Sequence, residues 1–306
     1  MGSSDSPDGS HGAAVTAEDF GLKGPRGWTF RSVSIKAEPG SLIAIEGPSG
    51  SGRTCLLLAL TGRMRPTEGH AEIGGLPLPR KMAAVRRISA LGPVTGVSEL
   101  DPALTVAEHL RERGLLQRHF DGSLRTLLRP RAERAAATRS RIDEALEAAG
   151  LDLAALPKGE RTAVRDLERL EALRLSVALA LIGRPRLLAV DDADLKLSDT
   201  DRAEAWKLLR SVAEAGTTVL AVCSQAPEGT TAIRTAAATT DPDAPDAAPA
   251  PESEAAPDAT PGAVPANTTE ATEATSEVTP EDASADTYQD TTEEGTADAL
   301  AETGRA

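Results

Sequence analysis

Eight consecutive residues, Gly47-Pro48-Ser49-Gly50-Ser51-Gly52-Arg53-Thr54, combine three things that hold a phosphate group: glycines, a cation and a hydroxyl. Gly47, Gly50 and Gly52 permit the backbone angles that turn successive N–H groups onto one anion. Thr54 offers an oxygen to a divalent cation such as Mg²⁺. A second run, Arg186-Leu187-Leu188-Ala189-Val190, ends in the carboxylates Asp191 and Asp192, and Asp191 is placed to hold such a metal directly or through water. The loop fits the phosphate-binding pattern G-x-x-x-x-G-K-[ST] at every position but one, because Arg53 stands where that pattern has lysine.

These residues need particular elements to position them. Leu42-Ile43-Ala44-Ile45-Glu46 is continuously apolar up to its last residue, as in a strand buried on both faces of a parallel sheet. The residues from Cys55 predict a helix to about Arg63 whose N-terminus points at the same phosphate oxygens. Upstream, Phe20 to Glu38 alternates apolar and polar residues, the pattern of an edge hairpin or two short strands. Downstream, His70–Gly75 reads as a short strand and tight turn, and Arg86–Gly92 as another strand. Residues 105–180 read as mostly helical, with Thr105 as N-cap and Glu108 or His109 at the capping-box position. Arg139–Ala149 is helical by spacing, with Gly150 as its stop. Arg174–Ile182 is a helix, Arg186–Asp192 a strand, Ala203–Glu214 a helix, and Thr217–Cys223 the last strand. Strands alternating with helices predict an α/β fold with a mainly parallel sheet, antiparallel edge strands and a helical subdomain.

Composition separates a folded region from its flanks. From Gly229 onward there are 17 acidic residues against Arg234 and Arg305, while residues 1–228 carry 30 acidic and 31 basic ones. The formal charge of −14 therefore belongs to the C-terminal stretch. Residues 1–16 and 229–306 lack the large apolar side chains that offset ordering entropy, so both are expected to be disordered. The folded domain is expected over 17–228, with its helical subdomain at about 105–180. Cys55 and Cys223 are the only cysteines, lie far apart and show no metal-ligand spacing, which points to a reducing, intracellular setting. No apolar run approaches the roughly 18–20 residues that span a bilayer. Arg111–Arg141 holds nine arginines, but six aromatic residues in the whole chain give little support to stacking on nucleic acid, and no nucleic-acid partner is expected. A solvated helical face accounts for the arginines.

In order and spacing, the strand, glycine loop and helix, then Pro66-Thr67-x-Gly69 before a short strand and Gly74-Gly75, then a helical insert, then Gly183-x-Pro185-x-Leu187-Leu188-x-x-Asp191-Asp192, resemble an ATP-binding cassette (ABC) nucleotide-binding domain. The resemblance runs from about Thr16 to Gln225. It implies a P-loop NTPase core that takes ATP and Mg²⁺ as cofactors. The binding residues would be Gly47, Pro48, Ser49, Gly50, Ser51, Gly52, Arg53, Thr54 and Cys55, the metal ligands Thr54 and Asp191, and the catalytic base Asp192. It also implies two partners, a separate transmembrane protein and a second cassette, and a cytoplasmic location peripheral on the inner face of the membrane.

The same resemblance exposes departures. Arg53 is a wide planar fork where the family has a compact ammonium. Asp192 is one methylene shorter than the family's glutamate, enough to misplace a base by about 1 Å. Ala193 and Asp194 replace proline and threonine, and Ser198 replaces the D-loop aspartate. Pro93 falls near the expected glutamine, Leu167–Glu171 replaces the signature LSGGQ, and Ser224 replaces the switch histidine. Trp28 or Phe20 would be the adenine-stacking aromatic, although both also fit a core. These substitutions imply weak or altered hydrolysis, and leave as an alternative a non-hydrolysing cassette that senses nucleotide beside a membrane protein.

Overall fold

The computed structural model describes residues 11–25, 27–120 and 130–235. The elements in order are β1 (Val15–Gly24), β2 (Gly27–Ala37), β3 (Leu42–Glu46), α1 (Arg53–Leu60), β4 (Glu68–Ile73), β5 (Leu76–Leu78), α2 (Met82–Ile88), β6 (Ser89–Leu91), α3 (Val106–Phe120), α4 (Arg131–Ala148), α5 (Arg169–Leu181), β7 (Leu187–Val190), α6 (Asp199–Glu214), β8 (Thr218–Cys223) and β9 (Thr231–Arg234). They form an antiparallel sheet in the order β2-β1-β4-β5 and a wholly parallel sheet in the order β6-β7-β8-β3-β9.

The parallel sheet explains the unbroken apolar runs. Side chains alternate between the two faces of a strand, and here each face meets its own core. Ile43, Ile45, Leu187, Ala189, Leu220 and Val222 pack with Leu56, Leu57 and Leu60 of α1 and with Val15, Phe20 and Ile73 of the antiparallel sheet. Leu42, Ala44, Leu188, Val190, Val219 and Ala221 pack instead with Leu175 and Ala178 of α5 and Leu209 and Val212 of α6. Every residue of β7 and β8 is buried. Truncating a fully buried side chain such as Leu57 to alanine would cost about 2–5 kcal/mol.

The α/β class, parallel sheet and antiparallel strands agree with the sequence reading. Among the described residues, the helical region holds α3, α4 and α5 plus three short 3₁₀ turns, Leu153–Ala155, Gly159–Arg161 and Val164–Asp166. Its first helix carries the expected capping box: Thr105 N donates to Glu108 Oε2 at 2.7 Å and Glu108 N donates to Thr105 Oγ1 at 3.3 Å. Gly150, with φ 61°, follows α4 as the expected stop. On α4, Arg131 and Arg139 are exposed, but Arg134 and Arg141 are half-buried and Arg113 on α3 donates its Nε to Leu179 O at 3.0 Å, so a solvated face accounts for only some of these arginines.

Three readings are corrected. Residues 86–88 belong to α2, so the strand predicted over Arg86–Gly92 shrinks to β6. That helix is two turns long with Val85 as its only buried side chain, so it leaves no helical period to detect. The ordered fold also begins before residue 17, with Ala13 and Val15 fully buried. And β8 is not the last strand: β9 follows it, pairing Ile43 with Thr231 through Glu46 with Arg234. With Ile233 its only buried residue, β9 shows no alternation long enough to read. Residues 1–10 and 236–306, the rest of the flanks expected to be disordered, lie outside the described residues.

Glu46, which closes β3, holds this late strand in place. Its Oε2 accepts from Ala226 N at 2.8 Å, and its Oε1 accepts from Arg234 Nε. Chiefly the Arg234 bond, then the Ala226 amide, keep the Glu46 carboxyl below the usual glutamate range. A carboxylate with a depressed folded-state pKa stabilises above its unfolded value and loses that contribution as pH falls through the folded one. Glu46→Gln is therefore expected to lower the denaturation midpoint at pH 7. The gap to the parent should close below the ordinary glutamate range, and urea melts across that span check it.

Candidate nucleotide-binding site

The loop between β3 and α1 is shaped by close approaches. Pro48, Ser49 and Gly50 are exposed while Ser51 is fully buried, and Ser51 N donates to Pro48 O at 3.2 Å. Gly52 is the N-cap of α1 in a left-handed conformation, φ 79°, and a Cβ there would run into the backbone carbonyl of Thr29. Both facts demand glycine. No side chain caps α1, and its first turn carries no acidic residue. The first-turn N–H groups and the positive end of the helix dipole thus face the loop, as an anion site requires.

Across the loop, Thr54 Oγ1 donates to Asp191 Oδ2 at 2.8 Å. Asp191 is 5% exposed, and its backbone N donates to Pro93 O at 2.9 Å. Burial raises its carboxyl pKa, an effect the Thr54 hydroxyl partly offsets. A hydroxyl and a carboxylate this close supply two hard oxygens, the donor set Mg²⁺ uses alongside water and phosphate. The residues present therefore fit Mg²⁺. Among the described residues there is no cluster of three or more histidine, cysteine or carboxylate side chains that would make an all-protein metal cage.

Arg53 does something that sequence alone does not indicate. Its Nη1 donates to the carbonyl of Cys223, the last residue of β8, at 2.6 Å. Its charge still favours ionised Asp191. The neighbouring Cys55 thiol is pushed up by burial and then by Asp191, and that of Cys223 to about 12, chiefly by burial. Both shifts disfavour the thiolate form.

Asp192 stands beside the metal pair in a left-handed conformation, φ 47°, uncommon for a residue with a side chain. Its backbone N turns back onto Asp191 Oδ1 at 3.1 Å. It lines a cleft of about 380 Å³ with Pro93, Thr95, Glu99, Arg169 and Asp191. Pro93, at the position where the family has its glutamine, lines the same cleft. Asp194 is buried and accepts from Ser224 N at 2.9 Å, so the residue at the switch position is tied by its backbone. Ser198 serves as the N-cap of α6, accepting from Asp201 N at 3.1 Å.

The Leu167–Glu171 segment opens α5 as a capping box. Glu168 accepts from the backbone of Glu171, and Glu168 N donates to Glu171 Oε2 at 2.8 Å. Two donors of this helix end are thus already satisfied, by carboxylates. Of the two aromatic candidates, Phe20 is core, 5.9 Å from Phe30 centroid to centroid. Trp28 is half-buried, with the Arg31 guanidinium 4.6 Å from its ring.

A family profile described as "ABC transporter" matches residues 30–194. The chain belongs to the ABC transporter family. It holds an ABC ATP-binding cassette domain. It is 32% identical over 189 residues to a Nod factor export ATP-binding protein I of Cupriavidus metallidurans, covering 62% of this chain and 55% of that protein. It is 33% identical over 189 residues to the daunorubicin resistance ATP-binding protein DrrA3 of Streptomyces coeruleorubidus, covering 61% and 53%. The chain thus spans about half the length of the curated relatives it matches. Among solved structures, the dimeric ABC cassette MJ0796 bound to ADP and Pi shares the fold at TM-score 0.53 and 23% identity, over 69% of this chain and 88% of that one. A bacterial Atm1-family ABC exporter with ATP bound gives 0.51 and 22%, over 71% and 36%.

The ABC cassette fold accounts for where the sequence-read residues fall. Gly47 to Cys55 form one loop and helix start, and Thr54 meets Asp191 with Asp192 alongside. Missed by sequence reasoning were the Thr29 and Cys223 carbonyls, since backbone acceptors carry no residue-type signal, and Thr235, which lies beyond the expected domain boundary. Gly52→Ala should force the Thr29 carbonyl aside at a left-handed position, destabilising by more than about 1 kcal/mol. A melting midpoint equal to the parent's would refute this account of the loop.

Proposed function

We propose that this chain is the ATP-binding subunit of an ABC-type membrane transport system, binding Mg-ATP at Gly47–Cys55 with weak or altered hydrolysis. The observation that carries the reading is the 2.8 Å Thr54–Asp191 pair, set beside an uncapped helix N-terminus. In it, the loop amides and the start of α1 hold the phosphates, and Thr54 and Asp191 hold Mg²⁺. The ion, when bound, would supply positive charge that neutralises the phosphates. Arg53 leaves the Cys223 carbonyl to meet the phosphates, and Asp192 acts as a short-reaching base toward water. A separate transmembrane protein and a second cassette complete the system, with this chain peripheral on the cytoplasmic face. Among the described residues no helix is long and apolar enough to cross a membrane. A relative named for Nod factor export supports outward transport.

A second reading, a non-hydrolysing cassette that senses nucleotide beside a membrane protein, draws on the capping box of α5. A helix end closed by Glu168 and Glu171 repels a partner's γ-phosphate. Two copies of this chain would then lack a standard composite site, which favours a different, competent cassette as partner.

Calorimetry on the full-length chain separates the readings. Mg-ATP is expected to bind, and Asp191→Asn to abolish the Mg²⁺-dependent part of the affinity. Slow steady turnover, also lost in Asp191→Asn, supports the subunit reading, whereas binding without turnover supports the sensor. Absence of any heat of ATP binding, with and without Mg²⁺, would sink both.

A further inference from the structure

The most deeply buried hydroxyl of the phosphate loop is held by a residue 184 positions downstream. Ser51 Oγ and Thr235 Oγ1 lie 2.6 Å apart, in a buried contact. Thr235 follows β9 directly and is itself anchored to the end of β3: its N donates to Glu46 O at 2.9 Å, and its Oγ1 donates to the same carbonyl at 3.3 Å. Either hydroxyl can donate in the Ser51–Thr235 contact, and Thr235 Oγ1 also lies within reach of the Glu46 carbonyl. The result is a short relay from loop to strand end, Ser51 to Thr235 to the Glu46 carbonyl.

Gly47 reports the same proximity from the backbone side. A Cβ on Gly47 would collide with Thr235 Oγ1 and lie 2.7 Å from both Ser51 Oγ and Thr235 O. The loop leaves β3 over Thr235 and returns to it at Ser51, so one hydroxyl fixes both limbs of the turn. The strand bearing it is clamped twice onto Glu46, through Ala226 N and Arg234.

We propose that Thr235 is a positioning residue for nucleotide binding, acting through Ser51 and Gly47 to hold the loop amides where phosphate oxygens meet them. The proposal rests on the reading that this loop binds Mg-ATP. Thr235→Val keeps the branched shape but strips the relay and leaves the Ser51 hydroxyl buried without its hydrogen-bond partner, whereas Thr235→Ser keeps the hydroxyl. Loss of one buried hydrogen bond corresponds to about a tenfold change in affinity.

The test is Mg-ATP titration of the full-length chain with each variant, alongside its melting midpoint. Thr235→Val and Ser51→Ala should each weaken binding about tenfold, Thr235→Ser should restore it, and the double variant should be no weaker than either single one. Parent affinity in Thr235→Val would overturn the proposal. So would a loss in Thr235→Ser equal to that in Thr235→Val, which would assign the effect to packing. If Thr235→Val does not fold, Ser51→Ala decides from the other side of the same bond, and parent affinity there overturns the proposal. A parent chain that does not bind ATP removes the functional reading itself, an outcome distinct from a bound parent with indifferent variants.

Discussion

The bond between Thr54 and Asp191 exists because parallel strands end together. With β3, β8 and β7 running the same way, their carboxyl ends fall on one edge, and whatever each strand hands to its following loop arrives at the same place. This is the general location of ligand sites in parallel sheets. From β3 come the glycine turn and α1; from β7, Asp191 and Asp192; from β8, the carbonyl that Arg53 reaches. None of these groups has to be brought in by a flexible arm. The strands are fixed by burial on both faces, so the edge is as rigid as the core beneath it.

What was legible in the chain tracks how much physics was concentrated in a short stretch. Leu42–Glu46 and Thr218–Cys223 could be read because burial on both faces leaves no room for polar residues. The loop could be read because three glycines, a cation and a hydroxyl are constrained at fixed spacing. Asp191 could be read because a carboxylate closing an apolar strand needs a reason. β9 and α2 could not, since each buries a single side chain and takes its place from partners far away in sequence. For the same reason the domain boundary placed at residue 228 fell short by the one strand that pairs with β3 on the side away from β8.

The departures from the family pattern also look different in three dimensions. As a string, Arg53, Asp192 and Glu168–Glu171 are simply wrong letters. In space two of them are groups already provided for within the chain: a guanidinium on the Cys223 carbonyl and a helix end closed on its own side chains. Groups that bind ligands in a standard cassette are here partly satisfied internally. On the proposed reading, a nucleotide would compete with those bonds, which lowers the gain from binding.

One consequence of β9 concerns the order in which the molecule comes into being. During synthesis the glycine loop emerges early, but the strand that lies beside it and the hydroxyl beneath it emerge only after all the described helices have been made. Domains form largely as units during synthesis, and long-range parallel pairing is slow. A nascent chain that has passed β8 but not β9 therefore has the glycines, the cation and the metal pair and still lacks the floor of its loop. On the proposed reading the nucleotide pocket waits for β9, so a truncated or stalled product carries the motif without the finished cradle.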